Sequence, residues 1–184
     1  MIKIKIVGGE FKSRSIVVPS LEGVRPTQEI VRKSIFSALG EKVSGNILDV
    51  FCGTGAYGIE AISRGGEKAY FIDKQKKCLD AINKTAEIFK IKDKVITINS
   101  DYKTGIRRLS SQKIKFNYIF IDPPYNMDVN KEVLSLLEEN DLLENNSIII
   151  FEQEKKLDPI EGYKLKAYSY SYKRVGIYKK GSEQ

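Results

Sequence analysis

Residues 47–58 read Ile47-Leu48-Asp49-Val50-Phe51-Cys52-Gly53-Thr54-Gly55-Ala56-Tyr57-Gly58, an apolar run that enters a Gly-x-Gly turn and leaves it in a helical pattern. Glycines at such a turn allow a sharp bend and close approach by a ligand, and the helix start behind them offers free N–H donors. Strand, glycine turn and helix in that order open a nucleotide-binding α/β sheet. Gly53, Gly55 and Gly58 also satisfy the Gly-x-Gly-x-x-Gly spacing of dinucleotide-binding loops. The glycines alone therefore do not choose between a nicotinamide cofactor and S-adenosylmethionine.

Downstream, short apolar runs alternate with helical patterns, the signature of βαβ units and a parallel sheet. Strands are predicted at Asn46–Phe51, Lys68–Ile72, Val95–Asn99, Tyr118–Ile121 and Ser147–Glu152, and helices near Tyr57–Arg64, Gln75–Phe89, Tyr102–Ser110 and Val129–Glu139. In the second of these helices Leu79, Ile82, Ala86 and Phe89 recur at spacings of three and four, which defines one buried face. Upstream, Ile2, Ile4 and Ile6 alternate with Lys3 and Lys5. Gly8-Gly9 supplies a turn, and Phe11 to Val18 can return as the second strand of a hairpin. A helix from about Thr27 to Leu39 follows, with Thr27 as N-cap, Ile30, Ile35 and Leu39 on its apolar face with Val31 beside them, and Gly40 at its end. Near the C-terminus, Tyr163–Tyr170 and Lys173–Tyr178 form an expected antiparallel pair.

The 184 residues suit one domain with a small appendage, divided here into a front segment, 1–45, and a catalytic body, 46–184. No apolar run approaches the roughly 20 residues that span a bilayer, and the start lacks a secretory stretch, so a cytoplasmic protein with no membrane partner is expected. Histidine is absent, and the two cysteines, Cys52 and Cys78, lack metal-ligand spacing, so no metal site is expected. The net charge of +7 is uneven. Residues 1–45 hold eight basic against four acidic residues, 155–184 eight against three, and 46–154 fifteen against seventeen. Two basic ends flank a near-neutral middle, an arrangement open to two readings: solvated lysines, or a phosphate-attracting surface.

Carboxylates stand at the ends of successive strands: Asp49, Asp73, Asp101 and Asp122. Strand ends of an open α/β sheet border the ligand crevice. Asp73 can accept from both ribose hydroxyls, Asp101 from an adenine amino group, and Asp49 suits a cationic amino-acid end. Each could alternatively be a helix cap; the register of all four favours shared ligand binding, with S-adenosylmethionine as the cofactor and S-adenosylhomocysteine as its product. The fourth strand then runs into Asp122-Pro123-Pro124-Tyr125. Two prolines restrict φ and cannot continue a ladder, so the Asp122 carboxylate and the Pro123 carbonyl become a fixed acceptor pair. An exocyclic base amine has two N–H donors and a lone pair delocalised into the ring. Acceptors at both hydrogens aim that lone pair at a methyl group and stabilise the positive charge that grows on nitrogen. Tyr125 offers a face for an extruded base. This chemistry serves guanine N2 and adenine N6 equally.

The chain resembles the bacterial 16S rRNA guanine-N2 methyltransferases of the RsmD type over nearly its whole length. Residues Ile6 to Arg14 are similar to that family's opening hairpin, and Val24-Arg25-Pro26-Thr27 with Val31 to Phe36 to its Arg-Pro-Thr segment and first helix. Asp49 to Ala61 with Ser63-Arg64-Gly65 resembles its cofactor motif, and Asp122 to Tyr125 its catalytic loop. Cys52 and Thr54 stand where Ala and Ser are common in the family, and Ser13 where Gly is common. The resemblance implies a Rossmann-like class I S-adenosylmethionine-dependent methyltransferase, with a seven-stranded mostly parallel sheet and a small N-terminal β-hairpin extension. It implies methyl transfer to the N2 of one guanine, position 966, of 16S rRNA, free or within a 30S subunit, by a monomer. The residues implied for catalysis are Asp122, Pro123, Pro124 and Tyr125. Those for the cofactor are Asp49, Phe51, Cys52, Gly53, Thr54, Gly55, Asp73, Lys74, Asp101 and Tyr102. Lys12, Arg14, Arg25, Thr27 and Arg174 are candidates for RNA, with Arg32 or Lys33 behind them; Arg25 and Thr27 could instead reach the cofactor. A DNA adenine-N6 methyltransferase, a non-catalytic RNA-binding module on the same fold and a nicotinamide-dependent oxidoreductase are the rival readings.

Overall fold

The computed structural model describes residues 1–20, 22, 27–170 and 172–181. Its elements are β1 (Ile2–Lys5), β2 (Ser15–Val18), α1 (Glu29–Ala38), β3 (Asn46–Val50), α2 (Ala56–Ser63), β4 (Lys68–Asp73), α3 (Lys76–Ile88), β5 (Val95–Asn99), α4 (Tyr102–Ser110), β6 (Phe116–Ile121), α5 (Asn130–Glu139), β7 (Leu143–Gln153), β8 (Tyr163–Ser169) and β9 (Arg174–Lys180). The apolar run that opens the cofactor motif becomes β3, an interior strand of a seven-stranded sheet ordered β5-β4-β3-β6-β7-β9-β8. β3 pairs in parallel with β4 and β6, β4 with β5, and β6 with β7. β9 alone runs against the rest, antiparallel to both of its neighbours, β7 and β8.

Both faces of the sheet are covered, which is why its strands lack polar alternation. Ile47, Ala69, Phe71 and Phe120 pack on one face with α1, α2, α3 and the hairpin β1–β2. Leu48, Val50, Tyr70, Ile72 and Ile119 pack on the other with α4 and α5. The third glycine of the motif is set by this layering: a Cβ on Gly58 would stand 2.3 Å from Cε1 of Phe71. No helix of the described residues is long and apolar enough to cross a membrane.

The front segment shares the sheet's core rather than forming one of its own, since Ile4, Ile6, Phe11, Ile16 and Val18 are buried in the first cluster. Its hairpin differs from the tight Gly-Gly form. The return strand starts at Ser15, not Phe11, because Phe11 turns into the core against Phe89, ring centroids 4.9 Å apart. The intervening loop docks on the last turn of α2: Ser63 Oγ donates to the Gly8 carbonyl (2.6 Å) and accepts from Phe11 N–H (2.9 Å), and Glu10 N–H donates to the Ser63 carbonyl (2.7 Å). Glu60, buried beneath the loop, accepts from Val7 N–H (3.0 Å) and from Arg64 Nε (3.0 Å).

The first helix also departs from expectation. It begins at Glu29 with Gln28 as its flanking residue and no side-chain cap, so Thr27 is not its N-cap. Ile30 is 67% exposed, and the buried face is Val31, Arg32, Ile35 and Phe36. The hairpin explains the rotation. Arg32 lies under it, 1% exposed, and donates Nη2 to the Lys5 carbonyl (2.5 Å) and Nη1 to the Thr27 carbonyl (2.6 Å), while its buried Nε has no partner among the described residues. Arg32 is thereby a packing residue and cannot contact phosphate.

Gly9 combines a φ of 75° with a virtual Cβ only 1.9 Å from the Ser63 carbonyl oxygen. Left-handed strain and overpacking together predict that Gly9→Ala costs about 2–4 kcal/mol and frees the hairpin loop. Urea unfolding and limited proteolysis of the first segment measure both effects, and a variant as stable and as protease-resistant as the parent would refute this docking.

Candidate active site

Every parallel strand ends on the same edge of the sheet, and the glycine loop leaves β3 there. Three of the loop's N–H groups are already engaged by the protein. Gly53 donates to Asp73 Oδ2 (2.8 Å), Gly58 to Asp49 Oδ2 (3.1 Å) and Gly55 to the Cys52 carbonyl (2.8 Å). A pyrophosphate needs such donors free and finds carboxylates beside them instead. Phe51 is held at φ 57°, in the left-handed region, at a cost of roughly 1–2 kcal/mol. The turn sets its ring against Tyr102, centroids 5.1 Å apart.

Asp49 is 3% exposed. Burial pushes its carboxyl well above the usual range, and the charges of Asp122, Asp73 and Glu152 add to the effect against the Gly58 hydrogen bond. Asp73 spans the loop and the next helix, accepting from Gly53 and from Gln75 N–H (2.8 Å). Asp101 caps α4, accepting from Thr104 N–H (2.9 Å) and Oγ1 (2.7 Å), and these bonds hold its carboxyl below the ordinary value. Burial raises the Cys52 thiol well above its ordinary value, first by desolvation and then by Asp49 and Asp73, so it is a neutral packing group rather than a nucleophile.

A cavity of about 840 Å³ opens at this edge. It brings together Thr27, Asp49, Phe51, Cys52, Gly53, Thr54 and the whole run Asp122 to Tyr125. Tyr125 is 76% exposed. Asp73, Lys74, Asp101 and Tyr102 do not line the cavity; they continue the same edge across β4 and β5, tied to it through the Asp73–Gly53 bond and the Phe51–Tyr102 contact. Lys74 is exposed.

Several lining residues carry no motif and escaped the sequence reading: Glu152 at the end of β7, Asn130 at the start of α5, and Lys173 before β9. Lys173 pairs with Glu152 and lies 3.8 Å from Asp122 Oδ1. The signal that would have found Lys173 is topological. An antiparallel β9 next to β7 starts where β7 ends, with Arg174 opposite Gln153.

The RNA candidates are scattered. α2 and α3 return from the crevice edge to the opposite one, and the hairpin loop docks at their C-terminal ends, so Lys12 and Arg14 sit across the sheet from Tyr125. Arg14 stacks on Phe89, 3.9 Å from the ring centroid, and donates to the Ile88 carbonyl (3.2 Å). Arg174 is half-buried and donates to the Tyr170 carbonyl (3.3 Å). Arg25 lies outside the described residues.

Asp49 generates a pH test. Its folded carboxyl lies well above the unfolded value of about 3.9, so stability falls as pH rises from that value to the raised one. Asp49→Asn removes this term. The variant is expected to melt higher than the parent at pH 8 and no higher near pH 4, with a flatter pH dependence between; melting curves of equal slope would refute the burial argument.

A family model described as Conserved hypothetical protein 95 matches residues 4–178. The Bacillus subtilis protein YlbH is 29% identical over 182 residues, 96% of this chain and 99% of its own. The Escherichia coli protein named ribosomal RNA small subunit methyltransferase D is 31% identical over 153 residues, 83% of this chain and 75% of its own. The solved structure of Escherichia coli yhhF superposes with a TM-score of 0.84 at 28% identity, covering 98% of this chain and 99% of that one. Motif, strand order and these likenesses agree on the fold, that of a class I S-adenosylmethionine-dependent methyltransferase, and the chain belongs to the Conserved hypothetical protein 95 family together with the methyltransferase D proteins it resembles.

Proposed function

We propose that this protein transfers a methyl group from S-adenosylmethionine to the exocyclic N2 of a guanine in 16S rRNA. The observation that carries the reading is that Asp122-Pro123-Pro124-Tyr125 leaves β6 into the cavity that the glycine loop of β3 also lines. The names of the relatives support an rRNA substrate, and the resemblance of the hairpin and the Arg25-Pro26-Thr27 segment supports guanine N2 over adenine N6.

The chain fits a cationic cofactor. Asp49 is buried with a hydrogen bond from Gly58 and, among the described residues, no paired cation, a setting that favours positive groups over the pyrophosphate of a dinucleotide. Asp73 keeps lone pairs for hydroxyls, and the Phe51–Tyr102 pair borders the Asp101 side. When bound, S-adenosylmethionine supplies an electrophilic methyl group. On the substrate side, Asp122 and the Pro123 carbonyl accept the two amine N–H bonds and orient the nitrogen lone pair, while Tyr125 stacks on the base, a contact worth roughly 1–3 kcal/mol. Asp122 then stabilises the positive charge that grows on nitrogen as the N–C bond forms and the donor's S–C bond breaks to leave S-adenosylhomocysteine, and the surplus N–H proton passes by way of the Asp122 carboxylate to solvent, with no histidine needed.

The front segment, 1–45, and the basic tail are proposed to hold RNA phosphates through Lys12, Arg14, Arg25, Thr27 and Arg174. The sheet is five residues deep at β3, about 17 Å, so an RNA that reaches both Tyr125 and Lys12 must be longer than one extruded loop.

Incubation with labelled S-adenosylmethionine and naked 16S rRNA, 30S subunits lacking the modification, or duplex DNA tests the substrate. Label on guanine N2 in one of the RNA substrates is expected; label on DNA adenine, or none on guanine N2, would overturn the assignment. A second expectation concerns the loop: Asp122→Ala abolishes turnover, on the order of 10²-fold or more, while equilibrium binding of S-adenosylmethionine changes little. Undiminished turnover would remove Asp122 from the chemistry.

A further inference from the structure

Lys173 reaches the crevice from the bend between β8 and β9 and meets carboxylates from two other strands. Its ammonium pairs with Glu152, whose side chain is 1% exposed, and stands 3.8 Å from Asp122 Oδ1. The first contact anchors the lysine. The second is an ionic contact beyond hydrogen-bond length, so it leaves the Asp122 lone pairs free to accept from other donors. Asn130 fixes the far side of Glu152, its Nδ2 donating to the Glu152 carbonyl (3.3 Å) and to Gln153 Oε1 (2.9 Å).

The surrounding charge is negative. Asp49 approaches from β3 and Glu152 from β7, with Asp73 beyond them on β4. Among the described residues lining the cavity two are cationic, and the other, Lys155, is paired with Asp128 at the rim (2.8 Å). An ionised carboxylate serves a base amine better than a protonated one: protonation turns one acceptor oxygen into a donor and removes the charge that offsets the positive charge growing on nitrogen. Burial drives Asp122 toward the protonated form and Lys173 opposes it. Lys173 itself keeps its proton, because Asp122 and Glu152 outweigh the cost of its own burial. Having only donors, it cannot hold the amine directly.

We propose that Lys173, anchored by Glu152, is the positioning residue that keeps the Asp122 carboxylate charged and open to the substrate amine. The inference rests on the reading of Asp122 as the amine's acceptor. It also assigns the C-terminal antiparallel pair a part in the reaction: the bend carries the counter-ion of the catalytic loop.

The test is the pH dependence of kcat at saturating S-adenosylmethionine, with the rRNA substrate that takes label, for Lys173→Met, Lys173→Arg and the double variant Glu152→Gln/Lys173→Met. The double variant removes the buried Glu152 charge along with its partner and so covers the case in which Lys173→Met alone fails to fold. In the methionine variants the acid limb is expected to move up by about 1–2 pH units, so that activity lost at neutral pH returns at higher pH. Binding of S-adenosylmethionine should stay within about threefold, since a pKa effect confined to Asp122 leaves the cofactor side in place. Lys173→Arg should return the limb toward the parent. An unmoved limb in the methionine variants, including a uniform fall at every pH, overturns the proposal. Asp122→Ala separates the two levels. If it is inactive while the limb stays put, only the role of Lys173 fails; if it is active, the acceptor reading fails first.

Discussion

Parallel pairing of β3 with both β4 and β6 is the constraint from which the site follows. A parallel neighbour can be reached only by a crossover, so each strand must hand the chain to a helix or loop at its carboxyl end and recover it at the other edge. Asp49, Asp73 and Asp122 consequently gather on one rim although more than seventy residues separate the first from the last. The same constraint puts the C-terminal ends of α2 and α3 on the far rim, where the hairpin loop finds Ser63 and Phe89.

Crowding carboxylates on one rim has an energetic cost, and the protein answers it locally. Backbone N–H groups answer at Asp49 and Asp73, a helix start answers at Asp101, and Lys173 answers at Glu152 and Asp122. Asp49 is the least compensated of them, holding one hydrogen bond against three like charges. Such a group stores a preference for positive ligands that is unfavourable to the empty fold and favourable to the occupied one.

Much of this was legible in the residues. The glycine loop and the strand-end aspartates specified the parallel sheet and the crevice, because buried parallel strands read as continuous apolar runs and because proline after a strand can only leave it. Lys173, Glu152 and Asn130 were not legible. They belong to no local pattern, and their meeting depends on β9 inserting between β7 and β8, a long-range pairing that period and propensity do not encode. The rotation of α1 was hidden for a similar reason: Arg32 reads as a surface residue until the hairpin carbonyl of Lys5 is placed above it. Arg14 was legible as a cation, and its seat on Phe89 was not.

Gly58 shows what a motif residue can and cannot certify. It occupies the third glycine position of the cofactor loop, yet the atom a side chain would strike is a ring carbon of Phe71 in the sheet, on the side away from any ligand. A descendant that lost its cofactor would still be held to glycine there, for as long as α2 lay on Phe71. In an unfamiliar sequence this third glycine is therefore testimony about architecture, and the living enzyme has to be recognised from its carboxylates.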